Sequence, residues 1–238
     1  MNRTRRHSPN STILCMVICL IAGIMTLPAL ADDAAESRQI VEKAVMTFDN
    51  FSKAPEMEGF RRLMKDARGI FIAPQVLKGA FIVGAAGGSG LFVARDGGAG
   101  KWAGPAFYTI GEVSFGLQAG GQSSEVIFLA MSERGVTALL NNSVKLGGDV
   151  GVAAGPVGIG AAASTANLSA DIISFSRSKG LFGGISLDGA VVAVRAGLNE
   201  AYYGGKKLGP VDILIRGTAS PTPGARILLD GITEAAKK

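Results

Sequence analysis

The chain has 238 residues, of which 47% are hydrophobic and 18% charged, so it carries enough apolar material for a buried core and lacks the composition of a disordered protein. Glycine occupies 34 positions, about twice its average usage of roughly 7%, but without the three-residue period of collagen. The formal net charge is +5.

The first 31 residues have the three-part pattern of a secretory signal peptide. Three arginines (Arg3, Arg5 and Arg6) precede an uncharged apolar run over 13–27, and Pro28 and small residues follow it. We predict cleavage after Ala31, a single mature domain over 32–238, and a periplasmic or secreted protein, with peripheral attachment to a membrane as an option. The alternative is an uncleaved anchor, although the apolar run falls short of the roughly 20 residues that a spanning helix needs.

Removal of this segment lowers the net charge from +5 to +2 and takes away both cysteines and the only histidine (Cys15, Cys19 and His7). A strongly basic nucleic-acid-binding protein is therefore not predicted. Catalytic triads, cysteine nucleophiles and zinc sites all require histidine or cysteine, so we predict no enzyme, no cofactor and no metal. The three aspartates that could hold a harder cation are widely spaced and are predicted to be ordinary turn residues: Asp149, Asp171 and Asp188.

Two amphipathic helices are predicted first, over 33–53 and 56–67, because apolar residues recur there at three- and four-residue steps. From Gly69 the period changes to two, which predicts short strands over 70–72, 81–83 and 91–93, with a hairpin turn at Asp96-Gly97. Strict alternation over 113–120 places Ser114, Gly116, Gln118 and Gly120 on one face, and its glycines indicate close backbone approach in a strongly curved sheet.

The second half of the chain is predicted to contain a strand over 126–131, a helix over 132–141, and strands over 144–154, 157–165, 169–177, 184–195 and 211–216. The uncharged stretch 150–170 is long enough to span a membrane. Its alanine- and glycine-rich composition favours a β-hairpin that turns at Gly155-Pro156. The predicted fold class is α+β, with N-terminal helices packed on a glycine-rich, curved antiparallel sheet or small β-barrel.

Two short motifs resemble catalytic signatures. The spacing of Ser176 and Lys179 matches S-x-x-K, but a strand end and a loop are predicted there, whereas the chemistry requires one turn of a helix. The glycine-rich run 84–90 leads into strand-forming residues, which argues against a phosphate-binding loop that opens a helix.

A series of glycine- and proline-containing motifs between about residues 35 and 205 resembles the SYLF domain family. They are 67–74 (ARGIFIAP), 78–84 (KGAFIVG), 88–90 (GSG), 102–107 (WAGPAF), 116–120 (GLQAG), 146–149 (LGGD), 154–158 (AGPVG), 176–189 (SRSKGLFGGISLDG), Asn199 and 201–204 (AYYG). The resemblance implies a non-enzymatic domain that binds phospholipid, with actin binding in some eukaryotic members. For an exported chain it implies a phospholipid or membrane surface of the cell envelope as partner, and makes actin an unexpected one.

Two segments combine cations with apolar side chains, as binding to an anionic lipid surface requires. Their members are the predicted lipid-binding residues Arg61, Arg62, Lys65, Arg68, Arg177, Lys179, Leu181 and Phe182. The alternatives are that the first four form the solvated face of a packed helix and that Phe182 fills the core. Trp102, Tyr202 and Tyr203 are each either an interfacial anchor or a residue at the edge of the core.

Three functional classes remain open. The predicted function is an exported, non-enzymatic phospholipid-binding module of the envelope. The first alternative is a structural or protein-interaction role without lipid binding. The second is an enzyme that uses Lys, Ser, Tyr or carboxylates.

Overall fold

A computed structural model describes residues 29–80, 83–95, 100–115, 120–158, 169–184 and 187–237. Most of the predicted signal peptide, the predicted turn at Asp96-Gly97, the glycine-rich positions 116–119 and most of the predicted strand 157–165 lie outside these ranges. Cleavage after Ala31 therefore stays a prediction. Among the helices in the described ranges, none is long and apolar enough to cross a membrane.

The described residues form six helices and nine strands. The helices are α1 (Ala29–Lys53), α2 (Glu58–Met64), α3 (Glu133–Leu140), α4 (Ala196–Tyr202), α5 (Pro210–Leu214) and α6 (Pro223–Lys237). The strands are β1 (Gly69–Ala80), β2 (Val83–Arg95), β3 (Trp102–Phe115), β4 (Gly120–Ala130), β5 (Ser143–Lys145), β6 (Val152–Ala154), β7 (Ile172–Ser178), β8 (Leu181–Gly184) and β9 (Val191–Val194).

All the strands belong to one sheet, in the order β5-β9-β3-β2-β1-β4-β7-β6, with β8 paired to β7. Every pair is antiparallel except β6 and β7, which run parallel. The predicted α+β class is confirmed, and the sheet is mixed rather than purely antiparallel.

The covalent link between the two ends of this path requires the sheet to curl. Laid flat, eight strands would separate β5 from β6 by about 34 Å, at roughly 4.8 Å per strand. Only six residues join Lys145 to Val152, and even fully extended they would reach about 25 Å. The link is in fact compact, because the N–H of Gly147 donates to the carbonyl of Val150. The predicted curvature therefore has a topological cause.

The curled sheet separates two apolar cores. Successive residues of β1 alternate between them, because side chains of a strand point to opposite faces. Ile70 and Ile72 face an outer core under α1, α2 and α6, and Phe71 and Ala73 face an inner core closed by α3 and α5.

Two polar clusters fix α1 across the sheet. Near its start, the Glu36 carboxylate accepts hydrogen bonds from both terminal nitrogens of Arg195, at 2.5 and 3.0 Å. Farther along, the Glu125 carboxylate accepts hydrogen bonds from Thr47 at 3.0 Å and Asn50 at 3.3 Å. Because these bonds lie at both ends of its buried face, α1 has a defined direction over the strands.

Several predicted elements are wrong. The segment 144–154 is two short strands around a turn, and β6 pairs in parallel with β7. The hairpin at Gly155-Pro156 stays a prediction, because most of its second strand, 157–165, lies outside the described residues. The segment 184–195 is interrupted between β8 and β9, and 211–216 lies largely in α5. In α5, Pro210 occupies the first turn and the Asp212 carboxylate accepts the N–H of Gly209 at 3.1 Å, which favours a helix start.

Candidate functional site

The first predicted basic segment lies on α2 and the turn that follows it. α2 buries Phe60, Leu63 and Met64 in the outer core. Its opposite side presents Arg62, which is exposed, and the exposed Lys65 follows in the turn. The packing agrees with the helix-face alternative, and it also concentrates positive charge on one surface.

The guanidinium of Arg61 is held by main-chain oxygens at the end of α1. It donates to the carbonyls of Ala54 at 2.5 Å, Pro55 at 3.3 Å and Ser52 at 3.4 Å. These carbonyls lie at or just beyond the helix C-terminus, where they lack partners within the helix and carry partial negative charge. No carboxylate in the described ranges forms an ion pair with Arg61, so its full positive charge is held in place without being neutralised.

Arg95, at the end of β2, is held in the same way. Its guanidinium donates to the carbonyls of Gly100 and Lys65, each at 3.3 Å. No ion pair to a described carboxylate is present for this residue either. Arg95 was not among the predicted residues, because its only local signal in the sequence is a single cation at the end of an apolar run.

Lys65 stands between two depressions of the surface. On one side is a groove of about 510 Å³ between α1, α2 and α6, with Phe48 in its wall. On the other is a cleft of about 680 Å³, where Lys65, Arg68 and Arg95 meet the apolar residues Leu140 and Ile215. Ile215 is 56% exposed. Both depressions therefore combine cations with apolar wall.

Positive charge is in slight excess in each depression. The groove has four cations, Lys53, Arg61, Arg62 and Lys65, against three carboxylates, Asp49, Glu58 and Glu234. The cleft has three cations, Lys65, Arg68 and Arg95, against two carboxylates, Asp66 and Glu133. Arg68 and Glu133 form an ion pair at 3.0 Å, but both side chains are at least half exposed, so water screens that pair strongly.

The second predicted segment divides into packed and exposed members. Arg177 donates to Glu125 at 2.9 Å, and its guanidinium carbon lies 5.5 Å from the centre of the Phe182 ring. That ring packs edge-on against Phe51 at 5.1 Å, as the core-filling alternative expects. Lys179 lies in the turn between β7 and β8 and is exposed, and Leu181 is 76% exposed.

The two predicted segments meet through buried aromatic side chains, because Phe51 packs against Phe60 at 6.0 Å and against Phe182 at 5.1 Å. Their exposed ends lie far apart. Arg68 precedes β1 at the level of Ala130, to whose carbonyl its N–H donates. Lys179 follows Ser178, which pairs with Ser124. Six residues of β4 separate these two levels, which is about 20 Å along the strand. Arg68 and Lys179 therefore lie near opposite ends of the sheet.

Neither the S-x-x-K motif nor a cluster of acidic residues forms a catalytic arrangement in the described part of the chain. Ser176 lies on β7 and Lys179 in a turn, so S-x-x-K does not occupy one turn of a helix. No group of three or more acidic residues that could hold a metal occurs within the described ranges.

Trp102 is 8% exposed and belongs to the outer core, which fits its core-edge alternative. Tyr202 and Tyr203 are half-buried. The Tyr202 hydroxyl shares a hydrogen bond with the Thr222 hydroxyl, and the Tyr203 hydroxyl donates to the carbonyl of Pro105.

Comparisons with known proteins show the family to which this chain is related. Residues 111–235 match the model of the Ysc84 (SYLF) family, described as "Las17-binding protein actin regulator". The chain is 34% identical over 163 residues to SH3 domain-containing YSC84-like protein 1 of Xenopus laevis, covering 67% of this chain and 48% of that protein. It is 33% identical over 175 residues to Protein YSC84 of Saccharomyces cerevisiae, covering 68% of this chain and 36% of that protein.

The human SH3 domain-containing YSC84-like protein 1 is 33% identical over 174 residues, which cover 71% of this chain and 49% of that protein. The matched region thus spans about half or less of each of these relatives. The family match ends in α6, beyond the last motif that carried the resemblance in the sequence.

Proposed function

The chain belongs to the Ysc84 (SYLF) family, and from that premise we propose that it binds anionic phospholipids, without catalysis, through the cations around α2. We name the surface formed by Arg61, Arg62, Lys65, Arg68 and Arg95 the α2 surface. Phosphate oxygens of lipid headgroups are the ligands that such a set of arginines and lysines recognises.

One observation carries this proposal: the guanidinium groups of Arg61 and Arg95 are held by carbonyl oxygens. A cation held by a carboxylate is largely neutralised, whereas one held by carbonyls keeps its charge for an external anion. Its side chain is also already ordered, so less conformational entropy is lost on binding. Lys65, between the two arginines, adds an exposed cation that has no ion-pair partner among the described residues.

The proposed location is the cell envelope, which rests on the signal-peptide pattern of residues 1–31. In that compartment the natural ligand is a phospholipid surface, and actin is not an expected partner. The alternative is a protein-interaction role. It is favoured by the family description, which names a Las17-binding protein and an actin regulator.

Co-sedimentation with vesicles tests the proposal. We expect the protein to sediment with vesicles of equal parts phosphatidylglycerol and phosphatidylcholine, and far less with phosphatidylcholine alone. Binding should weaken in high salt, because the screening length falls from about 10 Å at 0.1 M to about 3 Å at 1 M ionic strength.

The variant Arg62→Glu/Lys65→Glu removes two exposed cations of the α2 surface. Each cation near an anionic membrane contributes about 1 kcal/mol, so we expect an affinity loss of at least 2 kcal/mol, or roughly thirtyfold. The control Lys206→Glu/Lys207→Glu changes the net charge by the same amount at exposed positions far along the chain, and should lose much less.

Equal losses in the two variants would reduce the effect to net charge and would contradict the site. A wild-type protein that ignores both kinds of vesicle would contradict lipid binding itself, and the protein-interaction alternative would then be preferred.

A further inference from the structure

We propose that the α2 surface selects lipids whose headgroup carries two linked phosphates, of the diphosphatidylglycerol class, and that Lys65 binds between the two phosphates. This inference rests on the proposed function, because it names the class of anionic lipid that the α2 surface prefers. In this class one glycerol joins the two phosphates, so they reach the protein as a pair.

Each depression beside Lys65 has its own fixed guanidinium. Arg61 lines the groove between α1, α2 and α6, and Arg95 lines the cleft beside α3. Carbonyl oxygens hold both guanidiniums in place. Lys65 belongs to the walls of both depressions. A phosphate in the groove and a phosphate in the cleft would therefore each meet one guanidinium, and both would have Lys65 beside them.

The main chain places Lys65 next to both arginines. Lys65 is the C-terminal cap of α2 and keeps helical dihedral angles, so its Cα lies one turn, about 6 Å, beyond that of Arg61. Its carbonyl accepts a hydrogen bond from Nη1 of Arg95 at 3.3 Å. Its side chain is exposed. The three cations are therefore neighbours on one surface, and the lysine ammonium is the one that is free to turn toward either depression.

A single ammonium group matches the spacing of the two phosphates. Lysine has three donors, so it can bind a phosphate on each of two sides. With N···O distances of about 2.8 Å, the two phosphorus atoms would lie roughly 7 Å apart. Six bonds join the phosphorus atoms of diphosphatidylglycerol, and six bonds of about 1.5 Å reach roughly 7 Å when extended. One lipid molecule can therefore place a phosphate on each side of Lys65.

Several charges around the two depressions are already compensated within the protein. Three of the lining carboxylates form ion pairs, at distances of 2.6, 3.0 and 2.8 Å: Asp49 with Lys53, Glu133 with Arg68, and Glu234 with Lys237. These pairs leave the net charge of the surface unchanged.

The charge that remains equals that of two phosphates. The other lining residues with charge are four cations and two carboxylates, namely Arg61, Arg62, Lys65 and Arg95 against Glu58 and Asp66. The difference is two positive charges. A headgroup with two phosphodiesters carries two negative charges, so it would neutralise the surface, whereas one phosphatidylglycerol would leave half of the surplus.

Vesicles with matched charge test the inference. In two sets, the same small fraction of the phosphates belongs to an anionic lipid and the rest to phosphatidylcholine. The anionic lipid is phosphatidylglycerol in one set and diphosphatidylglycerol in the other. At low density a phosphatidylglycerol rarely has a second one beside it, whereas diphosphatidylglycerol always brings two phosphates. We expect wild-type protein to bind the diphosphatidylglycerol set about tenfold more tightly in co-sedimentation.

The variant Lys65→Gln removes the cation that the two depressions share. We expect its preference for diphosphatidylglycerol to fall from about tenfold to less than about threefold, because the two phosphates then bind without a common partner. Arg62→Gln is the matched control. It also removes one exposed cation from the α2 surface, but Arg62 lines only the groove. We expect it to weaken binding to both sets by a similar factor and to keep the preference.

The outcomes separate this inference from the proposed function. Equal affinity of the wild-type protein for the two matched sets would overturn the inference alone, provided that it binds the vesicles of equal parts phosphatidylglycerol and phosphatidylcholine. Failure to bind those vesicles as well as the diphosphatidylglycerol set would overturn both. A preference that persists in Lys65→Gln, or that is lost equally in Arg62→Gln, would also overturn the inference, because Lys65 would then not be the residue that couples the two phosphates.

Discussion

Three tyrosines show at the scale of single residues how burial controls ionisation. The Tyr108 hydroxyl lies in the inner core and donates to the carbonyl of Leu139 at 2.6 Å, and burial raises the pKa of Tyr108 far above its usual range. Burial also raises the pKa of Tyr203, with a smaller contribution from Tyr202, and raises the pKa of Tyr202 against an opposing hydrogen bond from Thr222. All three phenols are thus kept protonated by the fold.

The fold should therefore lose stability in alkaline solution. The unfolded chain releases tyrosine protons above the ordinary pKa of about 10, whereas the folded chain keeps them, so the free energy of unfolding falls as pH rises. Each tyrosine contributes a slope of up to about 1.4 kcal/mol per pH unit. Urea unfolding at about pH 8 and at about pH 11 measures this loss.

Tyr108→Phe provides the control for that slope. It leaves the carbonyl of Leu139 without its donor, which costs about 1 to 3 kcal/mol at every pH. It also removes one titrating group, so its loss between the two pH values should be smaller than that of the wild type. An unchanged slope would show that lysines, rather than buried tyrosines, cause the alkaline loss.

The candidate site illustrates which residue roles a sequence reveals. Exposure of Arg62, Lys65 and Leu181 follows from local pattern, because each neighbours apolar residues that must be buried. The packing of Arg177 and Phe182 does not, since their partners Glu125 and Phe51 are 52 and 131 positions away along the chain. The position of Arg95 likewise depends on carbonyls that only the folded chain brings to it.

Helices with strong local signals were predictable at the scale of elements. α3 begins after Ser132, whose hydroxyl accepts the N–H of Gly135 at 3.0 Å, so the predicted helix 132–141 is confirmed nearly to the residue. α5 was predicted as a strand, because five residues cannot display a helical period. No element was predicted for α6, although Ala225, Leu228, Leu229 and Ile232 recur at helical spacing.

A glycine of β2 is fixed by the bulge that lies opposite. The register of β1 shifts between Ile72 and Gln75, where Pro74 lacks an N–H for the ladder. A Cβ placed on Gly88 would lie 2.2 Å from the carbonyl oxygen of Gln75, a main-chain atom with little freedom to move.

Gly88→Ala should therefore destabilise the sheet by about 1 to 3 kcal/mol, the usual cost of overpacking. Gly79→Ala is the matched control, because a Cβ on Gly79 of β1 meets no atom within 4 Å. Its free energy of unfolding should be unchanged or raised by up to about 1 kcal/mol, since alanine restricts the unfolded chain. Denaturant unfolding compares the two, and equal losses would refute the role of the bulge.

On the scale of the whole molecule, the sheet divides the interior into two cores that depend on different helices. Amino-acid composition and the spacing of apolar residues were enough to predict the α+β class and a curved sheet. They could not predict the strand order, because β3 pairs with β9 and β5 pairs with β9 across large separations in sequence. Pairing of this kind depends on tertiary packing that local patterns do not encode.

The outer core depends on α6. Leu228 is 1% exposed in that core, whereas its neighbour Ile227 is 63% exposed on the same helix. Leu228→Ala should lower the free energy of unfolding by about 2 to 5 kcal/mol, because it leaves a cavity. Ile227→Ala should change it by no more than about 0.5 kcal/mol. Thermal or denaturant unfolding measures both, and similar losses would mean that α6 is not a structural part of the domain.

The contact between Glu36 and Arg195 joins residues that are 159 positions apart. During synthesis, the carboxylate of Glu36 emerges long before the guanidinium that will bind it. A nascent chain therefore cannot form this ion pair until most of the protein has been made. A ribosome that stalls before residue 195 leaves this ion pair unformed, so that only earlier partners such as Ser89 and Glu125 are present to hold the helix.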